Sequence, residues 1–179
     1  MQPAQPSWSQ TFKNIELLPG GNIVAGGWSY QNNVNHLLLA GFNSNGVLNP
    51  AFGTNGVYIN NAGIEQAFDI VINNNLLFAG GTSSNANGSS LTLTQFDTTG
   101  VINPFFGANG TVFANYNPIN ACYGLILQPD NKIVAAGTSG QGAFGDRDLL
   151  AVRFFQNGVV DSTFGINGKT ILPIGPSWD

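Results

Sequence analysis

The stretch NPAFGTNG at residues 49–56 decides the architecture, because it returns twice along the chain. Its counterparts are NPFFGANG at residues 103–110 and DSTFGING at residues 161–168. The phenylalanines of the three copies, Phe52, Phe106 and Phe164, follow one another at nearly equal steps. Since self-similarity at a nearly fixed period is the signature of a repeat architecture, the chain is predicted to contain three repeated units.

Two further motifs keep the same order and nearly the same period. One is an apolar run that ends in small residues, IVAGG at 23–27, LFAGG at 77–81 and IVAAG at 133–137. The other is LLLAGF at 37–42, LTLTQF at 91–96 and LLAVRF at 149–154. Short apolar runs separated by Pro, Gly and Asn are typical of strands and turns, and no segment keeps a helical period over three turns.

Each unit is therefore predicted to contain four short strands. A first apolar run (15–17, 70–72 or 125–127) forms a hairpin with the second, a loop of about ten residues leads to the third, and the phenylalanine–glycine motif precedes the fourth. Four antiparallel strands in one unit are typical of a propeller blade. We predict an all-β chain of three tandem four-stranded blades, approximately residues 8–60, 64–115 and 119–173, with 174–179 resembling the start of a further unit.

The third unit carries a family resemblance. CYGLILQPDNKIVAAG at 122–137 resembles the AYAxALQPDGKIVxAG stretch of the delta-60 repeats in the DUF5122 β-propeller family, and DLLAVRF at 148–154 and DSTFG at 161–165 resemble its other motifs. In the first two units, Gly-Gly and Asn-Asn replace the Pro-Asp turn. The resemblance implies a bladed β-structure, a bacterial and often cell-surface or secreted setting, and no catalytic residue.

Composition excludes several other classes of protein. Hydrophobic residues make up 42% of the 179 residues and the net charge is only −4, which argues against disorder. No apolar run is long enough to span a bilayer, and five Lys and Arg residues provide no basic patch for nucleic acid. The first residues lack the charged and apolar regions of a signal peptide, so an extracellular location rests on the resemblance alone.

Catalytic groups are sparse, and no enzyme activity, metal or cofactor is expected. His36 is the single histidine, and the resemblance implies that Cys122 is a small core residue. Glu65 and Asp69 lie at positions i and i+4 of one predicted strand, but no carboxylate pair recurs among the units. The Gly-Gly pairs precede no helix, so we expect them to serve backbone geometry rather than phosphate binding.

Two groups of residues are candidates for ligand binding. Trp28, Tyr30 and Asn32 are predicted to open the loop after the second strand, where aromatic rings beside amides suit carbohydrate or peptide recognition. Asp146 and Arg147 belong to the only local charge cluster, which could orient a polar ligand, although such clusters are usually solvated ion pairs.

The two ends of the chain share the sequence PSW, which contains Trp8 near the start and Trp178 near the end, close to three repeat periods apart. Because closed propellers have about 4 to 8 blades, three units leave two blade faces uncovered. Either the chain is part of a longer array, or two chains each supply half of a six-bladed ring; an open filament and a coincidental match are further alternatives. Trp8 and Trp178 are assigned to blade-junction packing.

The sequence leaves two functions open. The first is a non-enzymatic β-propeller-like scaffold or protein-interaction module that presents its inter-strand loops and self-associates. The alternative is a carbohydrate-binding module that uses exposed aromatic and Asn side chains. An enzyme would need an active site assembled between chains.

Overall fold

The computed structural model describes residues 9–60, 65–141 and 147–174, which form twelve strands and no helix. The first four are β1 (Ser9–Leu17), β2 (Ile23–Gln31), β3 (Val34–Phe42) and β4 (Val57–Ile59). The next four are β5 (Glu65–Asn73), β6 (Leu76–Asn85), β7 (Gly88–Asp97) and β8 (Thr111–Ala114). The last four are β9 (Ile119–Leu127), β10 (Ile133–Gly140), β11 (Arg147–Phe154) and β12 (Lys169–Leu172). The predicted all-β class is confirmed.

Strands pair antiparallel with their neighbours in chain order within each group of four. We call the groups β1–β4, β5–β8 and β9–β12 units 1, 2 and 3. Unit 1 is a separate sheet, whereas units 2 and 3 are joined by one parallel pair between Ser89 and Ile119. The described strands do not close into a ring.

A β-bulge interrupts the first strand of every unit at the same place. The extra residues are Lys13, Phe68 and Tyr123, which have no partner in the register of the second strand. A glycine faces each bulge, and a Cβ atom added to Gly27 would lie only 1.8 Å from the Thr11 carbonyl oxygen. The Gly that ends the IVAGG motif is therefore required by the close approach of the bulged strand.

The predicted strand lengths need two corrections. The first strands run for nine residues rather than three. The bulge reverses the alternation of side chains, so the first half of each strand does not form an apolar run with the second half. The predicted ten-residue loop is wrong in units 1 and 2. A two-residue turn at Asn32 and Asn33 (φ 51° and 63°) joins β2 to β3, and a two-residue turn at residues 86–87 joins β6 to β7. The residues next to these turns are mostly polar, so the sequence does not mark them as strand, although they are paired with the neighbouring strand.

The core consists of two apolar clusters, and neighbouring units share each of them. One lies between units 1 and 2 and includes Phe52, Ile70 and Phe96. The other lies between units 2 and 3 and includes Phe78, Phe106 and Phe154. A unit therefore completes its core only with the unit beside it, as is typical of repeat proteins.

Candidate functional site

Three aromatic rings, one from each unit, form a row that runs from β2 across the first strands β5 and β9. The ring centroids of Trp28 and Phe68 are 5.4 Å apart with planes inclined at 58°, and those of Phe68 and Tyr123 are 5.4 Å apart at 78°. Both separations lie in the range of favourable ring contacts; the first pair is tilted and the second is edge-to-face. Tyr123 is 47% exposed and Trp28 and Phe68 are half-buried, so the row borders solvent.

The β-bulges place two of the three rings of this row. An extra residue in a bulged strand leaves the regular alternation, and its side chain takes a new direction. Phe68 and Tyr123 are the bulge residues of units 2 and 3, and Lys13 is the bulge residue of unit 1. Trp28 lies beside them on β2, immediately after the glycine that faces the first bulge.

A cation lies at each end of the row. The Lys13 ammonium is 5.0 Å from the centroid of the Trp28 ring, within the range of a cation–π contact. At the other end, the Arg147 guanidinium donates a long hydrogen bond of 3.5 Å to the Tyr123 hydroxyl. We call Lys13, Trp28, Phe68, Tyr123 and Arg147 the cation–aromatic row. It gathers two of the five Lys and Arg residues of an acidic chain.

Asp69 ties the three units together beside the row. Its carboxylate accepts hydrogen bonds from the Asn14 side chain in unit 1 and from the Leu125 backbone N–H in unit 3, the latter at 2.6 Å. The Ile70 N–H adds a third at 2.9 Å. Burial raises the pKa of the nearby Glu16, and the negative charge of Asp69 raises it further. The Asp69 carboxylate is thus committed to holding the units in place.

The predicted binding residues have different surroundings from those expected. Trp28 and Tyr30 lie inside β2 rather than in a loop, at positions i and i+2 and therefore on one face of the strand. The Tyr30 hydroxyl donates to the Asn33 side chain at 3.1 Å, beside Asn32 in the turn. Arg147 begins β11.

The structure joins Trp28 and Arg147 through Phe68 and Tyr123, whereas the Tyr30 hydroxyl is directed to the turn at Asn33. The predicted site residues Asp146, Trp8 and Trp178 lie outside the described residues.

Sequence reasoning missed Lys13, Phe68 and Tyr123. They occupy the same position in three units and recur at a constant step, whereas the steps of the phenylalanine–glycine motif differ from each other. Their side chains belong to different chemical classes, and so an alignment by residue type does not reveal them.

The candidate catalytic groups all have structural partners. The His36 Nδ1–H donates to the Asn60 carbonyl at 2.7 Å, and the Asn60 side chain donates to Glu65 at 2.5 Å. Glu65 and Asp69 contact different residues and do not form a pair. Cys122 is fully buried, and burial raises the pKa of its thiol to about 12.

The described part of the chain contains no group of three or more His, Cys, Asp or Glu side chains that could hold a metal ion. It also contains no helix long and apolar enough to cross a membrane.

An all-β chain with repeated antiparallel strands and glycine-rich turns is typical of the β-propeller class. The family model described as "Domain of unknown function (DUF5122) beta-propeller" matches residues 19–52 and 128–164. These segments cover the second and third strands of units 1 and 3 and end at the phenylalanine of the repeated motif, and the match confirms the expected resemblance there. No curated protein and no solved structure matches the chain.

Proposed function

We propose that the chain is a non-enzymatic β-propeller-type scaffold and that its three units are blades. The support is that the bulge and the glycine facing it recur in all three units. A rigid array of this kind presents side chains at fixed spacing, which suits an interaction module.

The cation–aromatic row carries the proposal of a binding role. Aromatic rings that border solvent bind the apolar faces of a ligand, and cations at both ends attract negative charge. In contrast, the ionisable groups Asp69, Glu65 and His36 are occupied by hydrogen bonds within the fold. The ligand favoured by the row therefore has an apolar face and carries negative charge.

A carbohydrate-binding function is the second candidate, and it has its own supporting observation. Trp28 and Tyr30 share one face of β2, and the amide side chains of the Asn32–Asn33 turn lie beside Tyr30. Rings next to amide donors and acceptors suit sugars, which combine apolar faces with hydroxyl groups. The rings and amides of this surface carry no net charge, and so a sugar bound there does not need to be anionic.

Binding to an array of neutral glycans, carboxylated glycans and acidic peptides separates the two candidates. The row predicts binding of anionic ligands that weakens in Lys13→Gln and Arg147→Gln. Lys169→Gln is the matched control, because Lys169 also lies over an aromatic ring, that of Tyr116, away from the row.

Two results would count against the row. Binding of neutral sugars that is lost in Tyr30→Ala and kept in Arg147→Gln favours the second candidate. If no ligand class binds at millimolar concentration, both functions are wrong.

A further inference from the structure

Each unit meets the next through the same apolar contact near the first strands. Between units 1 and 2, Ile70 fills the space over Gly26, where an added Cβ would lie 2.8 Å from the Ile70 Cγ2. Between units 2 and 3, Leu125 fills the space over Gly80, with its Cδ2 2.7 Å from the corresponding position. A branched side chain on one unit thus packs on a small residue of the unit before it.

A second contact recurs farther along each unit. The Phe52 ring lies over Gly100 of unit 2, whose added Cβ would be 2.7 Å from the ring. The Phe106 ring lies over Gly158 of unit 3 in the same way, at 2.9 Å. The phenylalanine of the repeated motif therefore packs on a turn glycine of the following unit.

The two end units present the unused halves of both contacts. In unit 1, Ile15 is 70% exposed, whereas its equivalent Ile70 is 0% exposed. Gly46 is equivalent to Gly100 and Gly158, yet an added Cβ there would meet no atom within 4 Å. In unit 3, Ala136 occupies the position of Gly26 and Gly80 and is exposed.

The exposed surface is apolar at both ends. Phe12 and Leu17 accompany Ile15 on β1 and are exposed. The equivalents of Phe12 in units 2 and 3, Ala67 and Cys122, are buried, and the equivalents of Leu17, Ile72 and Leu127, are partly buried. On unit 3, an open recess of about 650 Å³ is lined almost entirely by apolar atoms of residues that include Tyr123, Ala136, Leu149 and Leu172. Apolar faces of this kind mark interaction sites.

We propose that unit 3 of one copy packs on unit 1 of a second copy by repeating the two internal contacts. Ile15 of the second copy enters the recess over Ala136. Phe164 is half-buried, with the Arg153 guanidinium 4.9 Å from its ring centroid, and its ring lies over Gly46 of the second copy. The inference rests on the proposed blade arrangement. Because Ala136 carries a methyl group that Gly26 and Gly80 lack, this junction is slightly wider than the internal ones.

Two copies joined in this way close a ring. The contact is head-to-tail, and a head-to-tail contact forms either a closed ring or an open filament. Propeller rings contain about 4 to 8 blades, and six is the one multiple of three in that range. The closed species is therefore a pair with two identical junctions.

The pair also extends the proposed binding site. In the chain, the bulge residues Phe68 and Tyr123 of successive units are in ring contact. The next bulge residue after Tyr123 is Lys13 of the second copy, which places a second cation beside Tyr123 and Arg147. The cation–aromatic row is incomplete without that copy.

Variants that introduce one charge on either end face test the junction directly. Ile15→Asp and Ala136→Arg each place a charge at both junctions of a pair of identical copies, and we expect each variant to have the single-chain mass of 18.8 kDa. Mixing the two variants leaves one junction unaltered and sets the new aspartate opposite the new arginine at the other. The mixture is therefore expected to recover the double mass that we expect of the wild-type chain.

A matched control completes the design. Phe105 is 93% exposed and belongs to unit 2, which has a neighbouring unit on both sides. We therefore expect Phe105→Asp to keep the double mass of the pair. Circular dichroism checks that every variant keeps its strands.

A wild-type monomer, variants that still pair, or a mixture that stays monomeric overturns the proposal; a ladder of larger species overturns ring closure. None of these masses depends on ligand, so the failure of the binding assay is separable from the failure of this contact.

Discussion

Ile70 and Ile15 hold the same position in neighbouring units, yet one is buried by the preceding unit and the other is exposed. Replacing each with alanine measures what the inter-unit contact contributes to stability. Both substitutions are made in an Ala136→Arg background, so that end-to-end pairing does not contribute to the result.

The expected losses differ because the burial differs. Ile→Ala at a buried position costs about 2–5 kcal/mol in the free energy of unfolding. Ile70 faces Gly26, which has no side chain to move into the cavity, so we expect about 3–5 kcal/mol. Ile15 is 70% exposed, so its substitution loses only about a third of the free energy expected for the buried Ile70, which is about 1 kcal/mol. The lost strand propensity, up to about 1 kcal/mol, applies equally to both positions.

Urea unfolding of the two variants, followed by tryptophan fluorescence and circular dichroism, gives the two free energies. We expect the Ile70 variant to be less stable than the Ile15 variant by about 2–4 kcal/mol. Equal losses would refute the reasoning, because they would mean that the interior of the repeat array provides no packing that its end lacks.

Three other predictions concern single residues. Gly81→Ala places a Cβ 1.7 Å from the Gln66 carbonyl oxygen, so we expect the free energy of unfolding in urea to fall by at least about 1–3 kcal/mol. The Cys122 thiol, with its pKa raised to about 12 by burial, is expected to react with a thiol reagent in mildly alkaline buffer only as fast as the chain unfolds. Rapid reaction without urea would contradict that burial. The hydrogen bond from the Thr163 hydroxyl, joined by neighbouring cations, lowers the pKa of Asp161 from 3.8 to about 2. Because the folded-state pKa is the lower one, this contribution to stability is present above about pH 3.8 and is lost as the pH falls towards 2. The stability gap between wild type and Asp161→Asn should therefore narrow over that interval in pH-dependent urea titrations.

The turns of this fold can be predicted from the sequence because their backbone demands specific residues. Each Asn-Gly pair after the phenylalanine–glycine motif has positive φ at both positions, for example 53° at Asn55 and 96° at Gly56. Such turns favour these two residues, and so the repeat is visible in composition as well as in spacing.

The bulges and the row cannot be predicted in the same way. A bulge is a property of two strands in register, and its extra residue is free to be Lys13, Phe68 or Tyr123. The sequence marks Trp28 as a candidate, but its ring partner, Phe68, belongs to another unit. Contacts between units depend on how the strands pack, which the spacing of motifs does not specify.

Disulfide trapping tests the central claim, that the two end faces are halves of one contact. The chain with both Ile15→Cys and Ala136→Cys carries one thiol on each face, and the buried Cys122 is too unreactive to compete. Under mild oxidation we predict a covalent pair with two disulfides and twice the 18.8 kDa mass of the single chain. Material that stays at the single-chain mass, with both introduced thiols free, would contradict it.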